Sequence, residues 1–313
     1  YLSPYSFLKI SMLDIVIVNW ISGAYLKTCI ESINNKYQTI VVDNYSTDGS
    51  TNCLSSFKNV TLLRQHENLG FSKACNIGAN LAKSDFILFL NPDAALYPDT
   101  VDKVLTFMGD ATNARIGICG VQLIDEYGNI ARHCSRFPTV LRFLAHSLVL
   151  DRFNSRLGRV MKEWDHKSTL VVDQVIGAFF LVRTNVFKSL GGFDERFFVY
   201  YEEVDFAYRA HLAGWESTYF AGAKAFHAGN GTTKNIKATR LFYSVRSRLL
   251  YVFKHFAWYE AVAVLIVSVL IEPISRSILA LLRCSWTGFK ETWLAYGMLF
   301  RWLFEWFSNG KAR

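Results

Sequence analysis

The stretch Leu13-Asp14-Ile15-Val16-Ile17-Val18-Asn19 decides the fold. It is a short apolar run, rich in β-branched residues and closed by a polar one, which predicts a buried strand. Gly23 to Ile33 then reads as a helix. Thr39-Ile40-Val41-Val42-Asp43-Asn44 is a second strand, closed by the turn residues Ser46-Thr47-Asp48-Gly49-Ser50. Val60 to Leu63 is a third, Gly70 to Ala82 a loop feeding a helix, and Asp85 to Leu90 a fourth strand ended by Asn91-Pro92-Asp93. Strands alternating with helices predict an α/β chain with a mainly parallel central sheet. Ligands of such sheets bind beyond the carboxyl ends of the strands, where Asn19, Asp43 and Asp93 stand.

Further along, Leu170 to Asp173 and Gly177 to Val182 are strand-like, and Asp205 to Gly214 is helical. Between these lies the segment richest in candidate chemistry, Gly191-Gly192-Phe193-Asp194-Glu195-Arg196-Phe197-Phe198-Val199-Tyr200-Tyr201-Glu202-Glu203-Val204-Asp205. Carboxylates set among aromatic rings are costly to bury unless they meet a cation, a proton or a substrate hydroxyl. An acidic helix start favoured by the helix dipole is the plainer reading of Glu202 and Asp205. Asp43, followed by Asn44 and a Ser/Thr/Gly turn, suits recognition of a base or ribose, and equally suits turn capping. In Asn68-Leu69-Gly70-Phe71, with Asn76 and Gly78 beyond, glycine allows the backbone to approach a phosphate or sugar, or simply to turn into a helix.

The 313 residues suffice for one large or two modest domains. The six cysteines are scattered without Cys-x-x-Cys spacing, which predicts reduced thiols in a cytosolic protein, and no secretory signal is read at the start. The net charge of +8 arises entirely after residue 227, where 12 basic side chains face 4 acidic ones. Five of the eight tryptophans lie there too (Trp258, Trp286, Trp293, Trp302 and Trp306). A basic, Trp-rich tail in an apolar context suits a membrane interface better than nucleic acid. Its apolar run Ala261 to Ile271 is shorter than the ~20 residues a spanning helix needs, and Glu272, Pro273 and Arg276 separate it from the next apolar residues, Ile278 to Leu282. Helices lying in the interface are therefore expected.

Taken in order, Gly-Gly-Phe-Asp-Glu at 191–195, Phe-Phe-x-Tyr at 197–200, the acidic pair 202–203, Asp205 and His227 resemble the second half of an inverting family 2 glycosyltransferase of the GT-A fold. The rhamnosyltransferase-like enzymes of bacterial polysaccharide assembly are the most similar subgroup. The resemblance covers roughly residues 12 to 256. It implies a catalytic domain over 12–240, with a nucleotide-binding half to about 110 and an acceptor half over 111–240. Residues 241–313 form a helical membrane-associating region.

By the same resemblance, Asn19, Asp43, Asn44, Asn68, Gly70, Phe71, Asn76, Asp93 and Asp173 would bind the donor. Asp93 and His227 would hold Mg²⁺ or Mn²⁺. Asn91-Pro92-Asp93 takes the place of the family's Asp-x-Asp metal motif, with asparagine for its first carboxylate. The base would come from Glu203, Asp205 or Glu202. Glu203 matches the family's catalytic position, usually Asp. The implied reaction moves a sugar, L-rhamnose from dTDP-rhamnose, onto a lipid-diphosphate-linked saccharide at the cytoplasmic face of the inner membrane, for O-antigen or cell-wall polysaccharide. A UDP-galactofuranose or UDP-hexosamine donor is the alternative within the fold. A non-catalytic membrane-bound scaffold is the alternative outside enzymes. No nucleic-acid partner is expected.

Overall fold

The computed structural model describes residues 13–229 and 236–310; residues 1–12, 230–235 and 311–313 lie outside the description. The first half runs β1 (Leu13–Asn19), α1 (Tyr25–Glu31), β2 (Gln38–Asp43), β3 (Val60–Arg64), α2 (Phe71–Asn80), β4 (Phe86–Leu90), β5 (Ala94–Leu96), α3 (Thr100–Gly109) and β6 (Ile116–Ile124). The second continues with α4 (Val140–Ser147), β7 (Leu170–Val172), β8 (Phe179–Arg183), α5 (Thr184–Ser189), α6 (Glu202–Leu212) and β9 (Glu216–His227). Four helices close the chain: α7 (Lys237–His255), α8 (Trp258–Ile266), α9 (Glu272–Leu282) and α10 (Trp286–Asn309).

One sheet organises the strands in the order β3-β2-β1-β4-β8-β6-β9-β5, with β7 added to β9. Its first four strands are parallel, as their alternation with helices predicts. β8 then inserts antiparallel to both β4 and β6, while β6 and β9 run parallel. The sheet is thus mixed rather than parallel throughout, because an apolar run such as Phe179–Arg183 carries no mark of its direction. β5, β6 and β9 were not read in the sequence; β9 alternates small, polar and aromatic residues without a sustained apolar face.

Successive residues of β1 point to opposite faces. Ile15 and Ile17 join one core with Leu88 and Leu181, whereas Val16 and Val18 join the other with Phe89 and Phe180. Burying each such aliphatic side chain is worth about 1.5–3 kcal/mol. A third core gathers the C-terminal helices around Tyr251, Tyr296 and Leu299, and takes in Phe143, Phe197 and Tyr201 from the preceding part of the chain. The expected boundary at residue 240 falls inside α7.

The interruption expected at Glu272-Pro273 does not break the helix. α8, a π turn at Val267–Ile271 and α9 form one continuous helix of 25 residues, Trp258–Leu282, whose most apolar 18-residue stretch has a mean hydropathy of 2.0. Pro273 lacks the N–H of a regular turn, and the wider π turn just before it accommodates that loss. Glu272 faces inward, where it pairs with Arg248 of α7 and Arg276 of α9. By length and composition this helix could cross a bilayer. Only 33% of that stretch is buried, and Ile266, Leu270, Ile274, Ile278, Leu281 and Leu282 are exposed. All six cysteines are free thiols.

Candidate active site

The carboxyl ends of β1, β2 and β4 open on a cavity of about 350 Å³. From the N-terminal half it is bordered by Trp20, Asn44 and the Asn68–Phe71 loop, and by Asn91-Pro92-Asp93. The other half contributes Gly177, Ala178, Glu202, Glu203 and His227, and α7 adds Arg240 and Tyr243.

Asp93 and His227 meet because β5 and β9 pair antiparallel with Ala94 opposite His227. The His227 Nε2 lies 3.3 Å from Asp93 Oδ1. Among the described residues no group of three or more His, Cys, Asp or Glu side chains gathers as a complete metal shell. One carboxylate and one imidazole on an open cavity nevertheless fit a hard divalent ion whose remaining positions are filled by phosphate oxygens and water.

Glu202 and Glu203 open α6, and the backbone just before them is unusual. Tyr200 and Tyr201 are both left-handed, with φ of 68° and 71°. For bulky residues this costs on the order of 1–3 kcal/mol each. Packing holds them there. Tyr201 belongs to the C-terminal core, Arg159 lies 4.8 Å over its ring, and the Tyr200 hydroxyl accepts from Arg240 Nε at 3.2 Å. The turn brings both carboxylates to the cavity. Neither Glu202 Oε2 nor Glu203 Oε2 has a hydrogen-bond partner among the described residues, and Gln174 Nε2 stands 3.5 Å from Glu203 Oε1. Burial pushes both carboxyls above the ordinary glutamate range; the neighbouring charge of Glu203 adds to this at Glu202, while Arg159 partly offsets it at Glu203.

Asp205, a candidate base, does not border this cavity. It is fully buried one turn further along α6, where Oδ2 accepts from Arg209 and Oδ1 from Lys254 and His255. Burial would raise its pKa, but the His255 hydrogen bond and the Arg209 and Lys254 charges hold it below the usual aspartate value. Asp205 therefore clasps α6 to α7. Asp173, expected at the donor, accepts from the Phe137 backbone N–H at 2.7 Å and fixes the loop before α4. Asn76 bonds the backbone N–H and carbonyl of Phe193. Asn19 is wholly buried and donates to Asp43 Oδ1, Ser46 and Ser50, and Asp43 is buried beside it. Both stand behind the cavity wall and brace its floor. Arg183 donates to the backbone carbonyls of Ile116, Met108 and Asn113, away from the site.

The Asn44–Phe71 side is held by hydrogen bonds within the chain. Asn44 Nδ2 donates to Asn68 Oδ1 and its Oδ1 accepts from Leu69 N–H. Gly70 has φ +84°, and a Cβ there would lie 2.5 Å from the Phe198 carbonyl oxygen. That carbonyl accepts from Phe71 N–H at 2.6 Å, while the Phe198 ring stacks on Tyr243 at 4.8 Å. Trp20, Arg240 and Tyr243 were missed in the sequence, and Tyr200 was read only as part of the Phe-Phe-x-Tyr motif. Trp20 could have been found, since it directly follows the strand-end Asn19; Arg240 stands in no motif that marks it.

The carboxyl edge of this α/β sheet thus gathers the Asp93–His227 pair and two carboxylates, each with one unpaired oxygen, in one cavity. The chain belongs to glycosyl transferase family 2, whose defining pattern matches residues 14–191, more than half its length. It is 28% identical over 274 residues to the N-acetylglucosaminyl-diphospho-decaprenol L-rhamnosyltransferase of Mycobacterium tuberculosis, covering 80% of this chain and 87% of that one. It is 25% identical over 251 residues to the rhamnosyltransferase WbbL of Escherichia coli, covering 77% and 92%. Among solved structures, a mannosyltransferase from Pyrobaculum calidifontis in complex with GDP-Man and Mn²⁺ superposes with a TM-score of 0.54 at 14% identity, covering 91% of this chain and 86% of that one. That likeness is one of fold, and the fold is GT-A.

Proposed function

We propose that the protein is a metal-dependent inverting rhamnosyltransferase that transfers L-rhamnose from dTDP-rhamnose to a lipid-diphosphate-linked saccharide during bacterial surface-polysaccharide assembly. The observation that carries this reading is the presence, in one cavity, of the Glu203 carboxylate with its unpaired oxygen and the Asp93–His227 pair. The relatives' names supply the sugar and the kind of acceptor.

The donor's nucleotide lies along Trp20, Asn44 and the Asn68–Phe71 loop, with Asn19 and Asp43 bracing that wall. Asp93 and His227 hold Mg²⁺ or Mn²⁺, which when bound offsets negative charge on the diphosphate. Arg240 adds a cation on the same cavity. The acceptor hydroxyl oxygen bonds to the anomeric carbon from the face opposite the diphosphate. The bond from that carbon to the diphosphate oxygen breaks, and Glu203 takes the hydroxyl proton. Its raised proton affinity suits it to that work. Glu202, beside it, is held toward its protonated form by burial and by the Glu203 charge.

Residues 12–240 carry the chemistry, and 241–313 rest on the cytoplasmic membrane face through the exposed apolar side chains of α8 to α10, aided by the basic charge of the tail. The test is turnover with purified protein, an extract of lipid-linked acceptors, Mg²⁺ or Mn²⁺, and dTDP-rhamnose against UDP-galactofuranose and UDP-N-acetylglucosamine. Release of dTDP that requires both metal and extract is expected. Release of UDP alone would overturn the donor, and no release from any donor would overturn the transferase reading.

A further inference from the structure

Glu203 borders a second cavity. Of about 350 Å³, it lies on the other side of the Tyr200–Val204 turn, between α4, the 151–162 segment and α7. It shares only Tyr200 and Glu203 with the donor cavity. Its lining is cationic: Arg142, Arg159, Lys162 and Arg248 against Asp151 and Glu203. Arg248 is neutralised by Glu272, and Asp151 Oδ2 is engaged by His146 Nδ1 at 2.9 Å. Among the described residues the other three cations form no ion pair with a carboxylate, although the Arg159 charge acts on Glu203 from a distance. Arg142 donates only to the Phe137 carbonyl, with its Nε unpaired, and Arg159 lies over the Tyr201 ring with its Nε buried and unpaired. Unpaired guanidinium groups in a cavity are costly unless an anion completes them.

The cavity also leads somewhere. His146 and Asp151 border a third space, between α4 and the helices α9 and α10, lined by Arg152, Arg276 and Arg283. Beyond it α9 exposes Ile274, Ile278, Leu281 and Leu282.

We infer that the cavity holding Arg142, Arg159 and Lys162 binds the diphosphate of the acceptor, with the sugar next to it presented to Glu203 and the lipid chain led past His146 and Asp151 toward α9. This rests on the proposed transferase reading and adds the place and chemistry of its second substrate. One anionic group between a carboxylate base and an apolar helix matches a saccharide–diphosphate–lipid in the order of its parts. Bidentate arginine contacts suit phosphate oxygens, and the lysine adds a point charge.

The test uses the full chain with its donor site filled by dTDP and Mg²⁺, titrated calorimetrically with farnesyl diphosphate, inorganic diphosphate and farnesol. Farnesyl diphosphate is expected to bind more tightly than the other two. Arg159→Gln is expected to weaken it about tenfold, as expected for a lost charge-assisted contact. Lys162→Gln, at an exposed position where folding is not at stake, is expected to weaken it in the same direction, and dTDP affinity should hold in both variants. Equal binding of farnesol, or farnesyl diphosphate affinity unchanged in both variants, overturns the assignment. Failure of dTDP to bind the unmodified protein, with farnesyl diphosphate still bound and still sensitive to Lys162→Gln, overturns the donor reading and leaves the cavity's assignment standing.

Discussion

His227 Nε2 stands 3.3 Å from Asp93 Oδ1, although the two side chains come from opposite halves of the catalytic body. The antiparallel pairing of Ala94 with His227 places them, so their approach depends on the register of two strands. Asp93→Asn or His227→Ala is expected to lower turnover roughly 10²-fold or more, by weakening electrostatic support of the leaving diphosphate. The readout is a metal titration of initial rate. The variants should need far more Mn²⁺ for half-maximal activity, and an unchanged titration would remove both residues from the metal.

Glu203→Gln is expected to lower kcat by about 10²- to 10⁴-fold, the usual worth of a general base, while donor affinity measured by calorimetry stays within about twofold. Glu202→Gln, with no proton to accept, should do much less. A Glu203→Gln protein with full turnover would place the base elsewhere.

The direction of the Glu203 shift sets the pH profile. The charged form accepts the proton, and burial raises its pKa. Activity should therefore fall as pH drops through a value above that of an ordinary glutamate. Removing the Arg159 charge, which favours the carboxylate, should move this acid limb to still higher pH. A limb that stays in place in Arg159→Gln would separate that arginine from the base.

Asp205→Asn should act on stability. It leaves Lys254, Arg209 and His255 without the carboxylate they share, a loss on the order of 3–5 kcal/mol when one partner of a buried ion pair is removed. Because the folded state holds the Asp205 pKa down, its contribution is full above the unfolded aspartate value of about 3.9 and is lost as pH falls through the folded one. Urea unfolding at pH 7 and at pH 3 should show the variant's deficit narrowing at the lower pH.

Gly70→Ala should cost roughly 1–3 kcal/mol, since the left-handed backbone and the Phe198 carbonyl both resist a Cβ. Thermal unfolding measures the cost, and a dTDP titration should show weaker binding because the same loop borders the donor cavity.

The parallel half of the sheet was legible because β1 to β4 are short apolar runs separated by helices, a pattern with few solutions. The turn of β8 was not, since direction depends on which neighbour a strand finds. At the site, Glu202, Glu203, Asp93 and the Asn68–Phe71 loop could be named because each stands at an element's end, where side chains meet ligands. Asp205 and Asp173 were read as chemistry because a carboxylate's spacing says nothing of the lysine, histidine or backbone N–H that will claim it. The path at Glu272-Pro273 was hidden for a similar reason. A charge that looks like an interruption becomes part of an apolar helix once Arg248 comes to meet it.

That last pairing has a mechanical consequence. Arg240 borders the donor cavity and Arg248 grips Glu272, and both project from α7. Eight residues of helix separate them, about 12 Å at 1.5 Å each. The helix acts as a ruler between the cavity that Arg240 borders and the exposed apolar face of α9.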